Sequence, residues 1–290
     1  MRTLTYDIGG TAIKFGLFQD GKLQFTQTFE TLAFQGAQNV MQRVIDHATQ
    51  FKEISAIGIS TCGQVEAETG VIAYANSNMP GYTGMHVKEK LMNALHVPVY
   101  VENDVVCAGL GEYTSGAAKG YDDFLLVTFG TGIGGTLFIN GKPYNGKGPS
   151  SGIMIGGMQI ALPFDHDPWG ASYEAVASVT SLVKQAQRID PSLQNGKQIL
   201  ARMQEEKIQK CVYEWEKRVT QGICSLIHLY NVPLVILGGG IMENDMIFTS
   251  IRDMIHLHLI PGFYGTAIEK ASLGNQAGLY GAYSLCYNTI

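Results

Sequence analysis

Tyr6-Asp7-Ile8-Gly9-Gly10-Thr11 is the stretch on which the reading of this chain turns. Residues 4–8 alternate as a strand does and stop at two glycines. A strand that ends on a carboxylate and runs into a glycine turn suits a phosphate, because backbone N–H groups come close only where no side chain intervenes. Thr11 adds a hydroxyl donor and Lys14 a positive charge. Asp7, at the strand's end, can hold Mg2+ directly or through water. For one such motif alone, a tight hairpin with a capping aspartate is the plain alternative.

Outward from this turn, residues 13–18 resume a strand, Asp20-Gly21 is a hairpin signal and residues 23–29 supply a third strand. The same order returns about 120 residues later. Leu126-Val127-Thr128-Phe129 is a strand, Gly130-Thr131-Gly132 a turn, residues 135–139 a strand and Asn140-Gly141 a hairpin signal. As a lone Gly-x-Gly-x-x-Gly, the run from Gly130 to Gly135 carries little. A strand rather than a helix follows it, so it lacks the dinucleotide-binding context. As the echo of the first turn it implies a duplicated α/β domain, two halves facing a central cleft with a polyphosphate held from both sides.

Between the repeats lie a helix over 39–51, a strand over 56–60, a helix over 86–95, a strand over 99–102 opened by Pro98, and a helix over 104–113. Glu102-Asn103-Asp104 closes that last strand and opens the helix, at the strand edge where α/β sites gather. A kinase that acts on a hydroxyl needs a carboxylate to take the proton as the oxygen attacks phosphorus, and Asp104 suits that task. A helix N-cap by Asn103 or Asp104 reads the same residues equally well. After the second repeat come a glycine-rich loop over 146–157, helices over 172–231, and a strand over 234–237 that ends in Gly238-Gly239-Gly240. That glycine run suits close packing against a flat adenine or ribose; a helix N-terminus is the competitor. The last segment, 274–286, reads as a helix with small residues on one face. The expected division is a smaller domain of residues 1–112 with 272–290 and a larger one of residues 113–271.

At 290 residues the chain can bury a core without a disulfide or metal. Hydrophobic residues at 46% and charged residues at 16% are a globular balance. A net charge of -5 argues against a nucleic-acid partner. There is neither a basic, apolar leader nor an apolar run of about 18 residues, so no membrane association is expected and the cytoplasm is the expected location. The five cysteines, Cys62, Cys107, Cys211, Cys224 and Cys286, form no C-x-x-C pair and read as buried free thiols. Asp165-His166-Asp167 lacks further ligands at useful spacing and is not read as a metal site. His256 and His258 read as structural.

In this order, the motifs resemble the ROK family (repressors, open reading frames and kinases) of the actin-like ATPase superfamily, over nearly the whole chain. Asn275-Gln276-Ala277-Gly278-Leu279-Tyr280-Gly281-Ala282 in the last helix matches as well. The resemblance implies duplicated RNase H-like domains around a cleft, ATP with Mg2+, a sugar substrate and a homodimer. It implies Asp104 as catalytic base, and Asn103 and Asp104 as ligands of sugar hydroxyls. Gly63, in Cys62-Gly63-Gln64-Val65, and Asn78, in Asn78-Met79-Pro80-Gly81-Tyr82, fall where the family lines its sugar pocket. Gly9, Gly10, Thr11, Thr131 and Gly132 match the phosphate turns, and Gly239 and Gly240 the adenosine side.

Two departures bear on the substrate. The family usually has Gly-Glu-x-Gly-His after the second phosphate turn, and here the stretch is Ile153-Met154-Ile155-Gly156-Gly157. The zinc motif built from that histidine and three cysteines is absent, so zinc is not expected. Glu174 matches the glutamate that follows the zinc motif and is expected to keep a sugar contact. With Met154 in place of Glu and Gly157 in place of His, one end of the pocket becomes more open and apolar. That is similar to the β-glucoside kinases of the family, which phosphorylate the 6-hydroxyl of the non-reducing glucose in cellobiose or aryl glucosides. The alternatives are a kinase for a free hexose (glucose, fructose or N-acetylmannosamine) and a sugar-binding member without catalysis. Repressor relatives carry a helix-turn-helix before the first strand. This chain begins at that strand and is acidic, so a repressor is not expected.

Overall fold

A computed structural model of the chain describes residues 1–148, 152–161, 167 and 169–287. It divides into two compact units. Met1–Gly120, Lys142–Gly152 and Gln276–Ile290 form the first, and Tyr121–Gly141 with Ile153–Asn275 the second.

In the first unit, β1 (Arg2–Ile8), β2 (Ala12–Gln19) and β3 (Lys22–Glu30) make an antiparallel meander. Its second connection is Asp20-Gly21, with φ of 49° and 83°, the left-handed pair a two-residue hairpin needs if its twist is to match its strands. Helix α1 (Ala37–Ala48) buries Val40, Met41 and Val44, the i, i+1, i+4 stripe of an amphipathic helix. Strand β4 (Ala56–Thr61), buried at every residue, lies parallel to β1. The hairpin β5 (Gln64–Glu66) and β6 (Val71–Tyr74) and helix α2 (Val87–Leu95) then lead to β7 (Val99–Asn103), parallel to β4. Helix α3 (Asp104–Ser115) follows with no linker. The sheet order is β3-β2-β1-β4-β7.

In the second unit, β8 (Phe124–Phe129) and β9 (Ile133–Ile139) form the hairpin of the second glycine turn, and Asn140 and Gly141 repeat the left-handed pair at 53° and 73°. The chain passes through β10 (Lys142–Pro143), counted with the first unit, and returns as α4 (Tyr173–Ala177), α5 (Val179–Gln187), α6 (Gly196–Leu200) and α7 (Glu206–Tyr230). Strand β11 (Leu234–Gly238) lies parallel to β8; α8 (Asp245–His258) leads to β12 (Ala267–Lys270), parallel to β11. Trp215 of α7 is fully buried in this core and donates its indole N–H to the Ala177 carbonyl at 2.9 Å. Four strands stand in the same order in both units, β2-β1-β4-β7 and β9-β8-β11-β12, so the expected duplication holds.

Helix α9 (Ala277–Leu285) closes the first unit against α3. A Cβ on Gly111 would overlap the Ala277 carbonyl, and one on Gly281 would overlap the Cys107 carbonyl. The small residues seen in the last segment are therefore what lets the two helix backbones touch.

Several expectations need correcting. The strand after the second turn starts at Ile133, because pairing with Phe129 begins there. The helices expected over 172–231 are present and number four. The β5–β6 hairpin, α8 and β12 were not foreseen. Residue 112, the expected boundary, lies inside α3; the Glu112 carboxylate accepts the Ala117 N–H at 2.7 Å and keeps the following turn with the first unit. Only Cys107 and Cys224 of the five free cysteines are buried, the other three being partly exposed. His256 and His258 lie in the last turn of α8. Residues 149–151 of the glycine-rich loop, and Asp165 and His166, lie outside the described residues. Among the described residues no helix is long and apolar enough to cross a membrane.

Candidate active site

Three strand ends of the first unit lie side by side. Asp7 pairs in register with Ser60, and Ser60 with Glu102, so the three side chains stand in one row on one face of the sheet. Ser60 donates its hydroxyl to Asp7 Oδ1 at 2.8 Å, and Lys14 Nζ lies 3.7 Å from Asp7 Oδ2. Burial raises the Glu102 carboxyl to about 7, against a lowering by the Asn103 N–H that it accepts at 2.7 Å.

In Glu102-Asn103-Asp104 the helix cap and the buried carboxylate beside it fall to different residues. Asn103 is the N-cap of α3: its Oδ1 accepts from the Val105 and Val106 N–H groups at 2.9 and 3.2 Å. Its Nδ2 donates to the Gly63 carbonyl at 2.9 Å and to Asp104 Oδ1 at 2.8 Å. Two donors and two acceptances use the amide's whole capacity. Asp104 Oδ1 also accepts the Val105 N–H at 2.9 Å. Burial first, and the nearby charge of Asp7 second, raise the Asp104 carboxyl to about 6. A carboxylate so poised is a proton acceptor near neutral pH. Gly63 is fixed by its backbone: φ is 95°, and a Cβ would stand 2.7 Å from the Tyr74 carbonyl. Asn78 lies apart, in an exposed turn, its N–H held by Asn76 Oδ1 at 3.1 Å.

The first glycine turn is braced from the end of β3. Thr31 donates its N–H to the Thr11 carbonyl at 3.0 Å and its hydroxyl to the Gly9 carbonyl at 2.6 Å. The N–H groups of Gly10 and Thr11 make no hydrogen bond among the described residues, and both residues are exposed.

The second turn is braced from helices. Val179 N–H donates to the Gly130 carbonyl at 3.0 Å and the Thr180 hydroxyl to the Thr131 carbonyl at 2.7 Å. Gly130 N–H closes the turn on the Gly132 carbonyl at 2.9 Å, and Ile133 N–H donates to Glu174 Oε2 at 2.9 Å. Gly239, with φ of 96°, lies against the root of this turn, where a Cβ would overlap the Phe129 carbonyl; Gly240 faces open space. The glycine run is not a helix start, since α8 begins later, capped by Asn244. Met154 is 53% exposed, and its Cγ lies 3.2 Å from where a Cβ on Gly157 would stand.

The structure thus gathers Asp7, Gly63, Asn103 and Asp104 in the first unit, and Thr131, Gly132, Glu174 and Gly239 in the second. Thr31, Ser60, Val179 and Thr180 were missed, and nothing in their local sequence marks them, since each acts across a long chain separation.

Two sheets of one order, each with a glycine turn at a strand end, define an actin-like ATPase fold of the sugar-kinase kind. The chain belongs to the ROK family, whose sequence model matches residues 3–289. It is 30% identical to the β-glucoside kinase of Listeria innocua over 97% of this chain and 96% of that one. It is 26% identical to the glucokinase of Thermotoga maritima over 98% and 97%. A ROK family glucokinase from Streptomyces griseus, solved in complex with glucose and AMPPNP, superimposes with a TM-score of 0.83 at 26% identity, covering 98% of this chain and 99% of that one. Within the family the chain is a carbohydrate kinase.

Proposed function

We propose that this kinase transfers the γ-phosphoryl group of ATP to the 6-hydroxyl of a β-glucoside such as cellobiose. The observation that carries the chemistry is the carboxyl of Asp104, raised to about 6 at the first turn of α3. Oδ1 is occupied by Asn103 and the Val105 N–H. In this reading Oδ2 takes the sugar proton as the oxygen attacks phosphorus and ADP leaves. Asn103, its amide already spent on the cap, Gly63 and Asp104, works by aiming the base. Gly63 borders the sugar side; Asn78, in its separate exposed turn, is assigned to the sugar by the family resemblance alone. Gly9, Gly10, Thr11 and Lys14 are the phosphate residues of the first unit, Thr131 and Gly132 those of the second, and Gly239 and Gly240 its adenosine side. Asp7 Oδ2, not used by Ser60, fits a Mg2+ ion through water, and that ion would neutralise the phosphates as charge moves to the leaving group.

The substrate reading rests on Met154. An exposed thioether lies over Gly157 where the family carries two polar ligands, and an apolar wall favours an aglycone over a free anomeric hydroxyl. The β-glucoside kinase relative supports this reading, and the glucokinase relative supports a free hexose instead. A homodimer in the cytoplasm belongs to the same proposal. An ADP-release assay over cellobiose, an aryl β-glucoside, glucose, fructose and N-acetylmannosamine decides. We expect kcat/KM for the β-glucosides to exceed that for the free hexoses by tenfold or more. A preference for any free hexose overturns the substrate, and no turnover with any sugar overturns catalysis.

A further inference from the structure

The sequence resemblance assigns Glu174 to the sugar, but its carboxylate is engaged elsewhere. Oε2 accepts the Ile133 N–H at 2.9 Å. The same oxygen fills the space of a Cβ on Gly132 and lies 3.2 Å from that of a Cβ on Gly156. Gly132 is thus held small by this carboxylate, and Gly156 by the Ile133 carbonyl beside it. Glu174 is itself anchored: its neighbour Tyr173 is fully buried, donates its hydroxyl to the Val219 carbonyl at 2.6 Å and its N–H to the Met158 carbonyl at 2.7 Å.

The consequence follows from peptide planarity, since the N–H of each residue points opposite to the carbonyl before it. Val179 pins the Gly130 carbonyl, so the Thr131 N–H points away from α5. Thr180 pins the Thr131 carbonyl, which turns the Gly132 N–H out likewise. In the third plane, Gly130 N–H takes the Gly132 carbonyl and Glu174 takes the Ile133 N–H. Three consecutive planes are fixed. The N–H groups of Thr131 and Gly132 make no hydrogen bond among the described residues.

We infer that Glu174 is a positioning residue for the second phosphate turn: it withdraws the Ile133 amide from the ligand and fixes the third plane, which anchors the end of the turn whose Thr131 and Gly132 amides face a phosphate. This rests on the reading that the turn holds the triphosphate of ATP. Glu174 acts on the nucleotide through the backbone, with no contact to the sugar required.

The test separates the KM values for the two substrates in Glu174→Ala, Glu174→Gln and Thr180→Val, with thermal melts alongside. An amide oxygen accepts the Ile133 N–H as a carboxylate does. Glu174→Ala is expected to raise the KM for ATP tenfold or more with the sugar KM within twofold. Glu174→Gln restores the ATP KM to within about threefold of the parent enzyme. Thr180→Val, which frees the neighbouring plane, raises the ATP KM alone and stands in should Glu174→Ala fail to fold. A sugar KM that rises while the ATP KM holds, or a Gln variant as impaired for ATP as the Ala variant, overturns the inference. Calorimetric binding of ATP and of adenosine distinguishes its failure from that of the underlying reading. Equal affinity of the parent protein for the two removes phosphate from this turn. A parent that prefers ATP, with a Glu174→Ala variant that keeps the preference, removes only Glu174.

Discussion

The two glycine turns occupy the same place in two sheets of the same order, yet they are built differently. The first spans four residues between the paired Ile8 and Ile13, and the second spans three between Phe129 and Ile133. The first is braced by one threonine beyond β3; the second by Glu174, Val179 and Thr180 of α4 and α5. The residue before the last on β1 is Asp7; its counterpart on β8 is Thr128. One copy of the duplicated unit has kept charge at its strand ends, in Asp7, Glu102 and Asp104. The other has kept a rigid backbone grip. The difference teaches that duplicated topology fixes where a ligand can bind, while the residue at each strand end decides what is done to it.

The largest effect should come from the charged side. Asp104→Asn keeps the side chain's size and removes the proposed proton acceptor, so turnover in the ADP-release assay is expected to drop about 10³-fold. The melting temperature should move by no more than a few degrees, because the Asn103 cap remains. Turnover within tenfold of the parent would take the chemistry away from the first unit.

The same substitution placed in both turns sharpens the contrast. Gly132→Ala must push the Glu174 carboxylate off the Ile133 N–H, so its ATP KM should rise about tenfold, and combining it with Glu174→Ala should add almost nothing. Gly10 has no atom within 4 Å of a Cβ, so Gly10→Ala should raise the ATP KM only a few-fold by crowding the phosphate itself. Its effect should add fully to that of Glu174→Ala. Additive behaviour for Gly132→Ala breaks the idea of a braced turn.

The smallest effect is one of pH. To act as the proposed base Asp104 must be ionised, so kcat/KM should fall tenfold per unit as pH drops below about 6. Stability moves the other way. A carboxyl raised by burial binds its proton more tightly folded than unfolded, so this group adds stability as pH falls from about 6 toward the ordinary value near 4. A pH profile with its acid limb below 5 would reassign the base.

Much of this was legible in the chain itself. Both glycine turns, both left-handed hairpins, the helix after Glu102 and the small-residue face of α9 are signalled by residues whose conformational needs are local. What escaped is non-local or weakly patterned. Helix α8 mixes β-branched and apolar residues, and its one clear local marker is the cap by Asn244. The four-residue β12 carries too few alternations to be read. Ser60 joins the site only because β4 pairs with β1 in one register, and Glu174 reaches the second turn across 41 residues of chain. Asn103 was legible as a cap, but its amide's hold on the Gly63 carbonyl and on Asp104 was not.

The close crossing of α3 and α9 has a consequence for biosynthesis. Gln276–Ile290 belongs to the first unit, yet a ribosome makes it after the whole of the second. The unit whose residues emerge first is therefore finished last. Until α9 arrives, Gly111 and the face around Cys107 lack the helix that covers them in the folded unit.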